Sequence, residues 1–205
     1  MLLEQAWNYL NDAKYNKAIK LCKDYLSSGE KEFELEANKL AALAYFQMKE
    51  FKKSLGFYKR IAEITNNSED WFNLALATSL SSDNAMDTNA FQKAIDSFDE
   101  SETSINTSIP AIRLFYLKEL VKKKQYHTAF EQLNELRKIY EEHEITDETY
   151  LYMNNTPKFS EAMEFSTEIL THVLTENEAF AWLNEFAETL DEQGKELLLR
   201  MRENK

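Results

Sequence analysis

Apolar side chains recur along this chain at offsets of three, four and seven, the spacing of one face of an α-helix. One short pattern returns five times: an aromatic residue, two variable positions, a small residue and an apolar one. The copies are Tyr15-x-x-Ala18-Ile19, Phe51-x-x-Ser54-Leu55, Phe91-x-x-Ala94-Ile95, Tyr126-x-x-Ala129-Phe130 and Phe159-x-x-Ala162-Met163. Their small residues lie 36, 40, 35 and 33 positions apart. Four residues beyond each stands Cys22, Tyr58, Phe98, Leu133 or Ser166, and three further on Tyr25, Ile61, Ser101, Leu136 or Ile169. This spacing predicts five amphipathic helices, each with a small residue where another helix approaches closely.

A second helical segment precedes each copy. The first three read Leu2-x-x-Gln5-Ala6-x-x-Tyr9, Asn38-x-x-Ala41-Ala42-x-x-Tyr45 and Trp71-Phe72-Asn73-Leu74-Ala75-x-x-Thr78. The fourth, Arg113-x-x-Tyr116-Leu117-x-x-Leu120, lacks the small residue, and the fifth, Thr146-x-x-Thr149-Tyr150-x-x-Met153, is the most degenerate. Self-similarity at a period in the thirties is the mark of a helical solenoid. A generic helical bundle is the alternative, but it has no reason to keep a period.

The pattern resembles the tetratricopeptide repeat, in which W-x2-L-G-x2-Y is followed by A-x3-F and P over 34 residues. Trp71, Leu74, Ala75, Ala94 and Phe98 carry the likeness best. Ala replaces the family's Gly in the first three copies, and the closing Pro is missing from all five. The resemblance covers residues 2–170, with repeats near 2–28, 36–64, 69–103, 109–140 and 146–172. It implies an all-α, right-handed superhelical array of antiparallel helix pairs over 1–175 with a C-terminal capping helix at 176–205, a single domain overall. It further implies that the first helix of each pair lines a concave groove. The chaperone-binding members hold a carboxylate with a clamp of Lys, Asn and Arg. Here Leu3, Trp7, Leu40, Glu69 and Asn73 occupy those places, so that activity is not expected.

Two irregularities stand out. Seven extra residues fall within Ser79–Ala90, a Ser-, Asp- and Asn-rich stretch that reads as a loop, the alternative being a helix lengthened by about two turns. Asn89 with Gln92 is the expected helix cap at its end. After Leu170 the repeat fades, but Phe180, Leu183, Phe186, Ala187 and Leu190 share a helical face, with Gly194 expected to end or kink that helix.

Composition narrows the fold class. Three Gly and two Pro are too few for a sandwich or barrel, which needs many turns. The glycines stand too far apart to cradle a phosphate. A single cysteine, Cys22, excludes an intramolecular disulfide framework and any multi-cysteine zinc site. No apolar run reaches the roughly 20 residues that span a bilayer, and Met1–Gln5 has no signal-peptide core. A cytoplasmic protein without membrane insertion is expected. Net charge is −12, and from Glu141 to Glu192 there are 14 acidic residues against a single base, Lys158. Nucleic acid is therefore not an expected partner. Lys122-Lys123-Lys124 reads as a solvated helix end.

No catalytic set emerges. His127, His143 and His172 are isolated in sequence, and Cys22 holds a core-facing position. Glu141-Glu142-His143-Glu144 has the composition to attract a divalent cation but lacks a fixed donor set. No enzyme activity, cofactor or metal is expected. If the first helices line a groove, its residues are Leu3, Trp7 and Leu10; Lys39, Leu43 and Phe46; Phe72, Leu76 and Leu80; and Leu114, Lys118 and Val121. Such an apolar, aromatic surface marks an interface. Its occupant is another protein or peptide, the chain's own residues, or a second copy in a homo-oligomer. The expected function is thus an adaptor or chaperone that holds an apolar segment or helix of a partner. The alternative is an acidic inhibitor or immunity-type protein, masking a basic enzyme with a surface of Glu178, Glu185, Glu188, Asp191 and Glu192.

Overall fold

The computed structural model describes residues 2–82, 85–99 and 108–203, with the side chains of Leu2, Arg202 and Glu203 left out. Among these residues the structure is all-α, with thirteen helices and no strand. The chain divides into two compact units, Met1–Asp99 and Glu100–Lys205.

The first unit holds α1 (Leu2–Asn11), α2 (Tyr15–Ser28), α3 (Glu34–Gln47), α4 (Phe51–Thr65), α5 (Ser68–Ser81) and α6 (Thr88–Asp96). Each helix packs on the next, and α1 also touches α3. The small residues of the repeat are where the helices meet: Ala6, Ala18, Ala42, Ser54, Ala75 and Ala94 are all inaccessible to solvent. Leu40, Ile61 and Phe91 fill the space between them. Cys22 belongs to this core, as its spacing predicts.

The second unit begins with α7 (Ile109–Lys122) and α8 (Tyr126–His143). Then come α9 (Glu148–Met153), α10 (Phe159–Met163), α11 (Ser166–Val173), α12 (Glu176–Glu188) and α13 (Glu192–Glu203). Ser108 caps α7 by accepting from the Ala111 N–H, with Pro110 in the first turn. The core lies around α8, where Leu133, Leu136 and Tyr140 are fully buried against α10 and α11.

A single turn builds most of the helix pairs. In the first, the N–H of Ala13 donates to Leu10 O and that of Lys14 to Tyr9 O. The same two bonds recur from Lys49 and Glu50 to Phe46 and Tyr45, and from Lys124 and Gln125 to Val121 and Leu120. They return from Asn155 and Thr156 to Tyr152 and Leu151. This is the Schellman closure, which satisfies the last carbonyls of the first helix and turns the chain back. It requires a left-handed residue, and Ala13, Lys49, Lys124 and Asn155 take φ of 56°, 58°, 58° and 53°. So short a connection makes the two helices of a pair antiparallel neighbours.

Where the structure departs from the sequence pattern, local chemistry explains it. The helix after the insertion is capped by Asp87, whose side chain accepts from Ala90 N, and not by Asn89, which lies inside α6. Before the insertion α5 runs on to Ser81, consuming part of the stretch expected to be loop. Helix α6 stops at Asp96, so Phe98 stands beyond it rather than on its face, and Ser101 lies outside the described residues. The fifth second helix is divided into α10 and α11, yet Phe159, Ala162, Met163, Ser166 and Ile169 remain buried as one face. The expected capping helix is also two helices. The chain breaks at Thr189–Asp191, and Gly194 sits inside the first turn of α13 instead of ending α12. Asp191 decides this, because its carboxylate accepts from Gly194 N and so starts the new helix.

Candidate functional site

Each unit carries a cleft between the first helices of two successive pairs. In the first unit α1 and the start of α3 enclose about 540 Å³. Leu3 and Trp7, four residues apart and so on one stripe of α1, form one wall; Phe33 and Glu36 face them, with Tyr25 of α2 alongside. Trp7 is 42% exposed, and its indole N–H donates to Glu36 Oε1 at 3.0 Å. The Tyr25 hydroxyl accepts from Phe33 N at 3.0 Å, which fixes the turn between the pairs.

In the second unit α7, α9 and the chain entering α10 enclose about 480 Å³. Leu114 and Phe115 come from α7, Thr149 and Tyr152 from α9, and Pro157 from the connection. Phe115 and Tyr152 are 46% and 67% exposed. Two ion pairs edge the cleft, Lys158–Glu148 at 2.5 Å and Lys118–Glu161 at 2.6 Å. Thr156, which also lines it, bonds His143 Nε2 through its hydroxyl at 3.0 Å. Burial holds the His143 imidazole below its ordinary value against the opposing charge of Glu142.

The groove residues expected from sequence do not converge on one cavity. Leu3 and Trp7 line the first cleft and Leu114 the second, with Lys118 in an ion pair beside it. Leu10 and Val121 are buried in the cores. Phe46 sits in the last turn of α3, where the reversal at Lys49 brings it against Phe51 and Tyr58, ring centroids 5.1 and 6.2 Å away. Phe72 is 3% exposed, because α6 lays Phe91 against it at 6.3 Å. Leu43 and Leu76 are half-buried, and Lys39 approaches Asp70 at 4.0 Å. Leu80 is exposed on a separate shallow surface with Phe51 and Lys52. Phe33, Phe115 and Tyr152 escaped the sequence reading. Phe115 follows Leu114 directly, and an aromatic pair on adjacent α7 and α9 was the available signal.

No protein-family model matches the chain, and no curated protein matches it.

Two of the five acidic residues expected on the C-terminal surface, Glu178 and Asp191, are engaged at helix starts, while Glu178, Glu185, Glu188 and Glu192 stay exposed. Glu178 closes a capping box with Thr175 at the start of α12, and these bonds hold its carboxyl below the usual range. Glu185 lies 3.9 Å from Arg137, whose guanidinium stands over the Trp182 ring. Asp191, expected to point outward, accepts from Thr146 N, Thr146 Oγ1 and Gly194 N. Burial opposes its ionisation, but those bonds and Lys195 hold its carboxyl below the ordinary value. Glu188 and Glu192 remain exposed. Burial, with Glu36 adding, pushes the Cys22 thiol up to about 11, which makes it a poor nucleophile at neutral pH. His127 is exposed, and His172 stacks on Tyr126 at 3.9 Å. Among the described residues no group of three His, Cys, Asp or Glu side chains is placed to hold a metal ion. None of the described helices is long and apolar enough to cross a membrane.

Proposed function

We propose that the chain is a non-catalytic protein-interaction module of tetratricopeptide type, with the right-handed winding of that family within its helix pairs, acting as an adaptor or chaperone. It binds segments of a cytoplasmic partner protein in clefts on the first helices of those pairs. One observation carries this reading. In both units the cleft between successive first helices presents aromatic side chains, Trp7 in one and Phe115 with Tyr152 in the other, that the surrounding chain leaves partly exposed. Large apolar side chains left open in a concavity are what a partner's side chains bury on binding. The acidic-inhibitor alternative is supported less, since Glu178 closes the capping box of α12 and Asp191 caps α13.

The test places a photo-crosslinking amino acid at Trp7, at Tyr152 and, outside both clefts, at Leu199, in cells that make the protein. Discrete adducts from the two cleft positions and none from Leu199 are expected. Absence of adducts at both clefts, or an equal pattern at Leu199, overturns the reading.

A further inference from the structure

Charge is sorted by helix in the first unit. Helices α2 and α4, the second members of their pairs, carry seven lysines and arginines against Asp24 and Glu63. The first members, α1, α3 and α5, carry five acids and one base, Lys39. Helix stability does not account for this. Lys17, Lys52 and Lys53 stand in the first turns of α2 and α4, where the helix dipole disfavours a cation and no acid is present.

The charges converge on one ring. Tyr45 belongs to α3, which packs on both α2 and α4. Lys23 of α2 donates to its hydroxyl at 2.8 Å and stands 5.3 Å from the ring centroid; Lys53 of α4 stands 6.0 Å from the same centroid. Tyr45 is only 7% exposed, and the hydrogen of its hydroxyl has no acceptor among the described residues. Lys53 also meets Glu50, but an ammonium carries three donors. Lys20, one turn before Lys23, and Lys49 and Lys52, beside Lys53, are exposed and make no ion pair among the described residues. Two ammonium groups and a nearly buried hydroxyl with its donor unspent suit a carboxylate, which accepts several bonds at once. A long polyanion suits the surface less. Residues 1–99 carry 15 acids against 12 bases and the whole chain −12, so nucleic acid is repelled beyond the patch, whereas a short acidic segment meets the local surplus alone.

We propose that the face of α2 and α4 around Tyr45 binds an acidic segment of a partner protein, one carboxylate held by Lys23, Lys53 and the Tyr45 hydroxyl and its neighbours met by Lys20, Lys49 and Lys52. These side chains line neither cleft, so this surface is independent of what the clefts hold.

The experiment follows, by fluorescence anisotropy with the full-length chain, a short labelled peptide of alternating Glu and Ser and the same peptide with Gln for Glu. The Glu peptide should bind the more tightly, and raised salt should remove the difference. Lys23→Gln with Lys53→Gln should weaken the Glu peptide at least about tenfold, and Tyr45→Phe, which keeps the ring, about threefold or more. Lys122→Gln with Lys124→Gln removes the same charge from exposed positions of the second unit and should change affinity less than about twofold. Both lysine pairs are exposed, so these variants report even if Tyr45→Phe does not fold. Equal weakening by the two pairs shows diffuse attraction and overturns the site, as does no binding of the Glu peptide at low salt. Tighter binding of single-stranded RNA or of vesicles containing phosphatidylserine, lost with Lys23 and Lys53, also overturns it. Self-association of the chain that the same variant abolishes gives the face to a second copy and overturns the partner segment.

Discussion

Asp191 holds Thr146 across 45 residues of sequence, accepting the Thr146 hydroxyl at 2.6 Å and its backbone N–H at 2.8 Å. In return the Asp191 N–H donates to Glu144 O at 2.9 Å. The turn after α8 is thereby fastened to the junction of α12 and α13. The carboxylate also caps α13, so one residue carries two tasks. Asp191→Ala leaves the Thr146 donors, which are buried, without a partner and removes the cap. A loss of about 2–4 kcal/mol is expected from those two costs together, read by urea denaturation. A loss below about 1 kcal/mol would mean the tie is ornamental.

Gly194 lies against the same tie. A Cβ placed there would come within 2.8 Å of Thr146 Cγ2 and 3.0 Å of Leu190 Cβ. Ala is the better helix former, by about 1 kcal/mol, so propensity alone predicts that Gly194→Ala stabilises. The contact predicts the reverse. Close packing against Thr146 should outweigh propensity and destabilise the protein by about 1–3 kcal/mol. Thr146→Ser, which keeps the hydroxyl and removes the methyl, should relieve much of that loss when combined with Gly194→Ala.

Acid should act on this region in a defined order. His143 has a lowered value in the folded state, so the unfolded chain binds its proton more readily. Stability is complete above the ordinary histidine value and declines as pH falls below it. The Asp191 carboxyl is also lowered, so its contribution is present above the ordinary carboxylate value and is lost as pH falls through the folded one. Denaturation midpoints measured from pH 8 downwards should therefore fall first below about pH 6.5 and again below about pH 4. His143→Gln should flatten the first decline alone, and Asp191→Asn should reduce the second, to which Glu178 and Glu135, also lowered, contribute.

The helix faces were legible in the sequence because burial imposes the period. Ala18, Ser54, Ala94, Ala129 and Ala162 are all inaccessible, and Cys22, Leu133, Leu136 and Ile169 share the buried side. The turns were not legible. A left-handed position is ordinarily signalled by Gly or Asn, but here Ala13, Lys49 and Lys124 occupy it, held by the two Schellman bonds rather than by intrinsic preference. The clefts were half legible. Leu3, Trp7 and Leu114 follow from the first-helix pattern, whereas Phe33 and Pro157 come from connections between helices, which helical spacing cannot place. Phe72 misled because its partner Phe91 lies across an insertion of unreadable geometry.

Those turns give a direct prediction. A non-glycine residue in the left-handed region carries a conformational cost of about 1–2 kcal/mol, part of which glycine recovers even after its greater freedom in the unfolded chain. Lys49→Gly and Lys124→Gly should each raise stability by about 0.5–1 kcal/mol. Lys52→Gly, inside α4, should lower it by a similar amount. Equal losses at all three positions would show that the turns are not held as described.

The decisive comparison for function sets the second cleft against the acidic surface. Phe115 and Tyr152 are exposed, so Phe115→Ala with Tyr152→Ala should leave thermal stability within about 1 kcal/mol of the parent. The same pair contributes the aromatic surface that a partner segment would bury. Loss of one such anchor typically costs about 2 kcal/mol or more of binding, a factor of roughly thirty. Glu185 and Glu188 lie on α12, outside that cleft, and both are exposed. Glu185→Lys with Glu188→Lys changes the local charge by four and removes the contact with Arg137, yet under cleft binding it should change affinity less than about threefold, as rim charges do. An inhibitor that works through its acidic face responds in the opposite sense. The charge reversals then abolish binding, the aromatic changes leave it intact, and affinity falls steeply with added salt. Measuring one partner against both double variants at two ionic strengths separates the mechanisms, because no single surface can produce both patterns.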